Sequence, residues 1–108
     1  MASNFVKAYP VTMASGTTLS SEVDLQKPYE KMFLAVPTMA SGSLFIQVSY
    51  ESGGRYSRIQ STPGTDFSIN SSATQRVIAL PTGFRFMKIE NSSGATDVVT
   101  TFRVICAD

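Results

Sequence analysis

The chain has 108 residues, close to the commonest single-domain size, and should hide roughly 65% of its unfolded surface, enough for one core and not two. Hydrophobic residues make up 43% and charged residues 16%, which excludes a disordered or highly solvated chain. Nine Lys and Arg against eight Asp and Glu give a net charge of +1, so there is no general pull toward phosphate backbones or anionic lipid, and neither nucleic acid nor membrane is an expected partner.

Alternation sets the chain's periodicity from its first segment. Phe5, Tyr9, Val11 and Met13 share one parity, with Lys7 among them. Pro10 cannot donate a ladder hydrogen bond, which confines residues 1–16 to an edge strand or to an arm that pairs with a neighbour. Phe5, Tyr9 and Val11 are therefore candidate partner contacts, and residues 17–108 are read as the β-sandwich domain. Next, Thr18 to Leu25 reads as a strand. Its charged stretch Ser20 to Lys27 is the best helix candidate, but Pro28 would stop a helix after barely two turns. Glu22 and Asp24 share a face, a pair that in principle suits acid–base work or Ca²⁺. Isolated carboxylates lack the Gly-bearing ligand loop of a calcium site, so a solvated strand face is preferred.

Within Glu30 to Val36, Met32, Leu34 and Val36 alternate with Phe33, Ala35 and Pro37. Both faces are apolar, which predicts a central strand or one that carries a face into an interface. In Ser43 to Glu51, Leu44, Ile46, Val48 and Tyr50 oppose Gln47, Ser49 and Glu51, with Phe45 breaking the pattern. Gly53-Gly54 predicts a hairpin into Arg55 to Gln60. Arg55, Tyr56 and Arg58 put two guanidiniums beside a ring, a grouping that could stack bases. Ordinary hairpin surface is preferred, and the three are kept as candidate partner contacts.

Pro63 to Asp66, Pro81 to Gly83 and Asn91 to Gly94 are turns that delimit strands at Asp66 to Ile69, Gln75 to Leu80, Phe84 to Glu90 and Asp97 to Cys106. In the last of these, Val98, Thr100, Phe102, Val104 and Cys106 face one way and mark a core strand. Eight or nine short strands with turns between them predict an all-β fold, a single antiparallel β-sandwich that is jelly-roll-like. Ser and Thr, about a quarter of the chain, suit exposed strand faces and turns. Thr-Met-Ala-Ser-Gly occurs at Thr12 to Gly16 and again at Thr38 to Gly42, read as one turn solution used twice.

Several chemistries lack their residues. The chain has no His, the usual base for a Ser or Cys nucleophile, so no enzyme and no catalytic residue is expected. One Cys and no His cannot make a Cys/His zinc site, and neither a metal nor another cofactor is expected. Cys106 reads as a small buried hydrophobe. The opening residues carry no basic region followed by an apolar stretch, and no run approaches the roughly 18 apolar residues of a membrane span, so a soluble protein made in the host cytoplasm is expected. Asn70-Ser71-Ser72 and Asn91-Ser92-Ser93 match a glycosylation pattern and are read as turns. Tyr29, Tyr50, Tyr56 and Phe67 could alternatively line a sugar-binding face.

Three stretches carry a resemblance: Thr17-Thr18-Leu19-Ser20-Ser21-Glu22-Val23-Asp24-Leu25, Phe33-Leu34-Ala35-Val36-Pro37, and Ser43-Leu44-Phe45-Ile46-Gln47-Val48-Ser49 with its Gly-Gly turn. With Arg76 to Pro81 and Phe84 to Ile89 following, residues 17 to 105 resemble small virion structural proteins of tailed bacteriophages. The resemblance is a pattern of β segments and transfers no binding position. It implies a capsid decoration or cement protein on the virion surface, with the major capsid protein and copies of itself, as dimer or trimer, for partners. A tail protein and a carbohydrate-binding or host-recognition module are the alternatives.

Overall fold

Strands form where apolar and polar residues alternate, and in the computed structural model, which describes residues 6–37, 43–70, 76–92 and 100–107, they come in two stacked sheets and a separate two-stranded hairpin. The elements are β1 (Val6–Met13), β2 (Val23–Asp24), β3 (Lys31–Val36), β4 (Ser43–Ser49), β5 (Ser57–Arg58), β6 (Gln60–Thr62), β7 (Thr65–Asp66), β8 (Ser68–Asn70), β9 (Arg76–Ala79), β10 (Phe86–Asn91) and β11 (Thr100–Ala107). No helix occurs among the described residues.

The first sheet runs β1-β11-β3-β9 and the second β2-β10-β4-β5, with β8 also pairing β4. All pairings are antiparallel. Setting aside the excursion β5 to β7, the eight remaining strands cross from sheet to sheet at every step except β4 to β8, which pair with each other, the order that two interlocked Greek keys produce. This is a jelly roll.

One parity of each strand fills the space between the sheets. Val11 and Met13 of β1, Phe102, Val104 and Cys106 of β11, and Met32, Leu34 and Val36 of β3 meet Leu44 and Ile46 of β4 and Met87 and Ile89 of β10, and all are buried. β1 therefore belongs to the body of the sandwich. It pairs with β11 over eight consecutive positions, from Val6 opposite Ala107 to Met13 opposite Thr100. It is an edge strand, the position in a sheet where a proline such as Pro10 is tolerated.

Three departures from the sequence reading have local causes. The expected strand Thr18 to Leu25 does follow β10, but Ile89 donates its amide to Ser20 Oγ (2.8 Å) instead of to a backbone carbonyl, and only Val23–Asp24 keeps a regular ladder. The Gly-Gly hairpin is wider than two residues: Gln47 faces Arg58 and Val48 faces Ser57, which leaves residues 49–56 as its loop. The expected strand Asp66 to Ile69 divides at Phe67, whose amide turns to Ile59 O (2.9 Å). The Pro63-Gly64 turn closes the β6–β7 hairpin with Gly64 at φ 88°, a conformation suited to glycine. The first Thr-Met-Ala-Ser-Gly copy ends in a turn, where Thr17 N and Oγ1 both donate to Ala14 O (3.2 and 2.7 Å). The second copy lies outside the described residues.

Candidate contact surface

The two sheets turn unlike outer faces to solvent. On the second sheet, polar groups are mutually satisfied. Arg58 donates through Nε and Nη2 to the Glu90 carboxylate (3.0 and 2.5 Å) and through Nη1 to Asp66 Oδ2 (3.2 Å), with its guanidinium 3.8 Å from the centre of the Phe45 ring. Gln47 Nε2 also donates to Glu90 Oε1 (2.7 Å). Arg85 grips Asp24 through Nε (2.8 Å) and Nη2 (3.0 Å) and lies 4.9 Å from the Phe86 ring centre. Charge-assisted, two-pronged bonds of this kind fix geometry as well as neutralise charge.

The hairpin loop of residues 49–56 is tied down on the same side. Glu22, just before β2, accepts Ser52 Oγ (2.6 Å), the Gly53 amide (2.9 Å) and the Tyr56 hydroxyl, while Lys88 Nζ sits 4.6 Å from the Tyr56 ring centre. Those bonds, that from Ser52 foremost, hold the Glu22 carboxyl below its ordinary range. Arg85, and then the Gln26 amide, do the same for Asp24, and Arg58 for Glu90. Tyr56 is pushed up, by burial first and by Glu22 second.

The outer face of the first sheet carries little of this. Register puts Ala8, Ile105, Phe33 and Ala79 in one row across β1, β11, β3 and β9, and Pro10, Arg103, Ala35 and Val77 in the next. At about 4.8 Å between strands, the first row is an apolar band some 15 Å wide. Phe33 is 38% exposed and Val77 60%, two large apolar side chains open in adjacent rows of one face, and contiguous apolar surface of this kind marks an interaction site more often than a single exposed residue does. Beside them, Ala35, Pro37, Val77, Thr101, Arg76 and Arg103 line a groove of about 360 Å³ at the end of the sheet.

The candidate contacts taken from sequence fall elsewhere. Val11 is fully buried, so it offers nothing to a partner: the parity it shares with Met13 points inward, and the outward residues of β1 are Ala8, Pro10 and Thr12. Tyr9 shares that inward parity. Its hydroxyl donates to Leu25 O (3.1 Å) and meets the Tyr29 hydroxyl (3.2 Å), and burial together with Tyr29 pushes it up to about 12. Tyr56 and Arg58 are engaged within the second sheet's network, as described. Arg55 is exposed and lines a second cavity, of about 370 Å³, with Tyr50, Ile59 and Phe84. Phe5 lies outside the described residues.

Sequence reasoning passed over Val77, Ile105 and Arg103 as contact residues. The signal available was the apolar pair of faces on Met32 to Pro37, which placed a strand either centrally or at an interface. β3 is in fact central, and its Phe33 face is also open. Among the described residues, no group of three His, Cys, Asp or Glu side chains is placed to hold a metal ion, and no helix is long and apolar enough to cross a membrane. Set against known proteins, the chain matches no family model, and no curated protein matches it in sequence.

Proposed function

We propose that the chain is a non-enzymatic structural protein that acts by contact, decorating or cementing the capsid of a tailed bacteriophage through the outer face of the β1-β11-β3-β9 sheet. The observation that carries the contact reading is the contrast between faces: one is closed by its own ion pairs, and the other leaves Phe33 open on an apolar band and Val77 open in the row beside it. The capsid half of the reading rests on the segment pattern over residues 17 to 105. Repeated modest contacts suffice for such a role, because avidity multiplies them once many copies sit on one shell. A standard interface needs about 800 Å² from each partner, within reach of a four-stranded face.

The test uses particles prepared without the protein. Purified chain should bind them, and Phe33→Ser or Val77→Ser should abolish binding while leaving the fold intact. Sedimentation of the free protein reports dimer or trimer, and labelling in particle micrographs distinguishes head from tail. A chain that stays monomeric and ignores shells sinks the proposal.

A second reading, a carbohydrate-binding module, is favoured by one observation. Tyr50 is 99% exposed at the mouth of the 370 Å³ cavity, an aromatic surface with nothing packed on it. Glycan-array binding that disappears in Tyr50→Ala would support it.

A further inference from the structure

The 370 Å³ cavity beside Tyr50 lies where the chain crosses from β9 in the first sheet to β10 in the second. Thr82, Gly83 and Phe84 of that crossing line one part of it, and β4, the 49–56 loop and β5 with Ile59 after it line the rest. The core side of the space is apolar. Phe84 is buried, Val48 and Ile59 are half-buried against the core, and Val48 stands on the inward parity of β4 opposite Ser57. Toward solvent the lining changes character: Tyr50, Arg55, Ser57 and Thr82 are all exposed, and no described carboxylate lines the space. Its volume falls at the lower end of the range for small-ligand sites, which combine apolar walls with a few polar groups in the same way.

Arg55 stands apart from the other cations on this side of the molecule. Arg58 is committed to Glu90 and Asp66, Arg85 to Asp24, and Lys88 lies over the Tyr56 ring. The Arg55 guanidinium has no ion pair or hydrogen bond to another described residue, so its donors are open to whatever enters the cavity it lines. A guanidinium fork matches two oxygens of one planar anion, and an aromatic ring offers a broad apolar surface to the C–H face of a sugar.

We propose that this cavity binds an acidic sugar, a pyranose whose carboxylate meets the Arg55 guanidinium while its ring lies against Tyr50 and its hydroxyls reach Ser57 and Thr82. The inference rests on the second reading above, a sugar site beside Tyr50, and adds the charge of the ligand and the residue that selects it. Charge complementarity chooses among sugars: a neutral ring leaves the Arg55 fork unused, whereas a carboxylate pairs with it and meets no acid in the lining. A purely apolar ligand would leave the hydroxyls and the guanidinium without partners. A nucleic acid strand asks for cations along a track, and Arg55 is the one cation in this lining.

The probes are the methyl glycosides of glucuronic, galacturonic and N-acetylneuraminic acids, titrated into isotope-labelled full-length protein and followed by NMR at the arginine Nε–H and backbone amide signals. Methyl glucoside and methyl galactoside are the neutral controls. The expected result is saturable movement of the Arg55 Nε–H signal and of the Val48, Ile59 and Gly83 amides with at least one acidic glycoside. Its dissociation constant should rise about tenfold in Arg55→Gln, the scale of one charged hydrogen bond, while the urea midpoint of this exposed-site variant stays with the parent. Binding of a neutral control as tight as that of its acidic counterpart, or an acidic glycoside indifferent to Arg55→Gln, overturns the carboxylate assignment and leaves a neutral sugar site standing. A tighter response to thymidine monophosphate or an oligothymidylate overturns it in favour of a phosphate ligand. If no glycoside, acidic or neutral, perturbs any residue of the lining, the sugar reading of the cavity fails with it.

Discussion

Glu22 accepts three hydrogen bonds from residues at least thirty positions further along the chain, and each of them favours its ionised form. Asp24 and Glu90 are held in the same direction by Arg85 and Arg58. A carboxyl whose folded pKa lies below its unfolded value binds fewer protons in the native state. Its contribution is complete above the unfolded value near ~4.3 and disappears as pH falls through the folded one. Urea midpoints should therefore hold steady from neutrality down to about pH 5 and then decline. In Glu22→Gln that decline should be shallower, because one of the three groups no longer titrates. Cys106 gives a prediction of opposite character. Burial pushes its thiol up to about 11, so at pH 8 a disulfide reagent should leave the native protein unmodified and react at once after unfolding.

Among the elements, β1 offers the sharpest test, because an arm and an edge strand make different demands on Met13. Here Met13 is fully buried, so Met13→Ala should cost about 2–5 kcal/mol in chemical unfolding, whereas truncation on a free arm would cost nothing. In the 49–56 loop, a Cβ added at Gly54 would lie 2.5 Å from Glu51 Cγ, 2.9 Å from Ser49 Oγ and 3.0 Å from Glu51 O. Gly54→Ala should destabilise by about 1–3 kcal/mol, with loss of amide exchange protection centred on Ser52 to Tyr56. The same elements mark how far the sequence could be read. Alternation is a local property, so strands such as Leu44 to Val48 and Phe102 to Cys106 were visible before any coordinates. Parity tells which residues share a face and leaves open what that face packs against, so Tyr9 and Val11 read equally well as partner contacts or as core, and the structure turns them inward. Glu22 looked like half of an isolated acidic pair because its partners Ser52, Gly53 and Tyr56 are supplied by the fold, which no spacing rule encodes. The shortened β2 had a similar origin, since one serine hydroxyl standing in for a carbonyl is invisible in a pattern of apolar residues.

At the scale of the whole molecule, jelly-roll connectivity pairs strands far apart in sequence, β1 with β11 and β4 with β10 among them. Loop-closure entropy must be met before those pairings stabilise anything, so refolding after dilution from denaturant should be slow, in the millisecond-to-second range. The open face should be separable from stability in the same preparations. Val77→Ser should leave the unfolding free energy within about 0.5 kcal/mol of the parent while removing any retention on particles. The β1–β11 ladder has one more outcome. Because Val6 stands opposite Ala107, anything appended before β1 or after β11 departs from a single corner of the sandwich. A short flexible linker there, with new ends opened at the exposed Pro63-Gly64 turn, should yield a circular permutant that keeps the same two sheets.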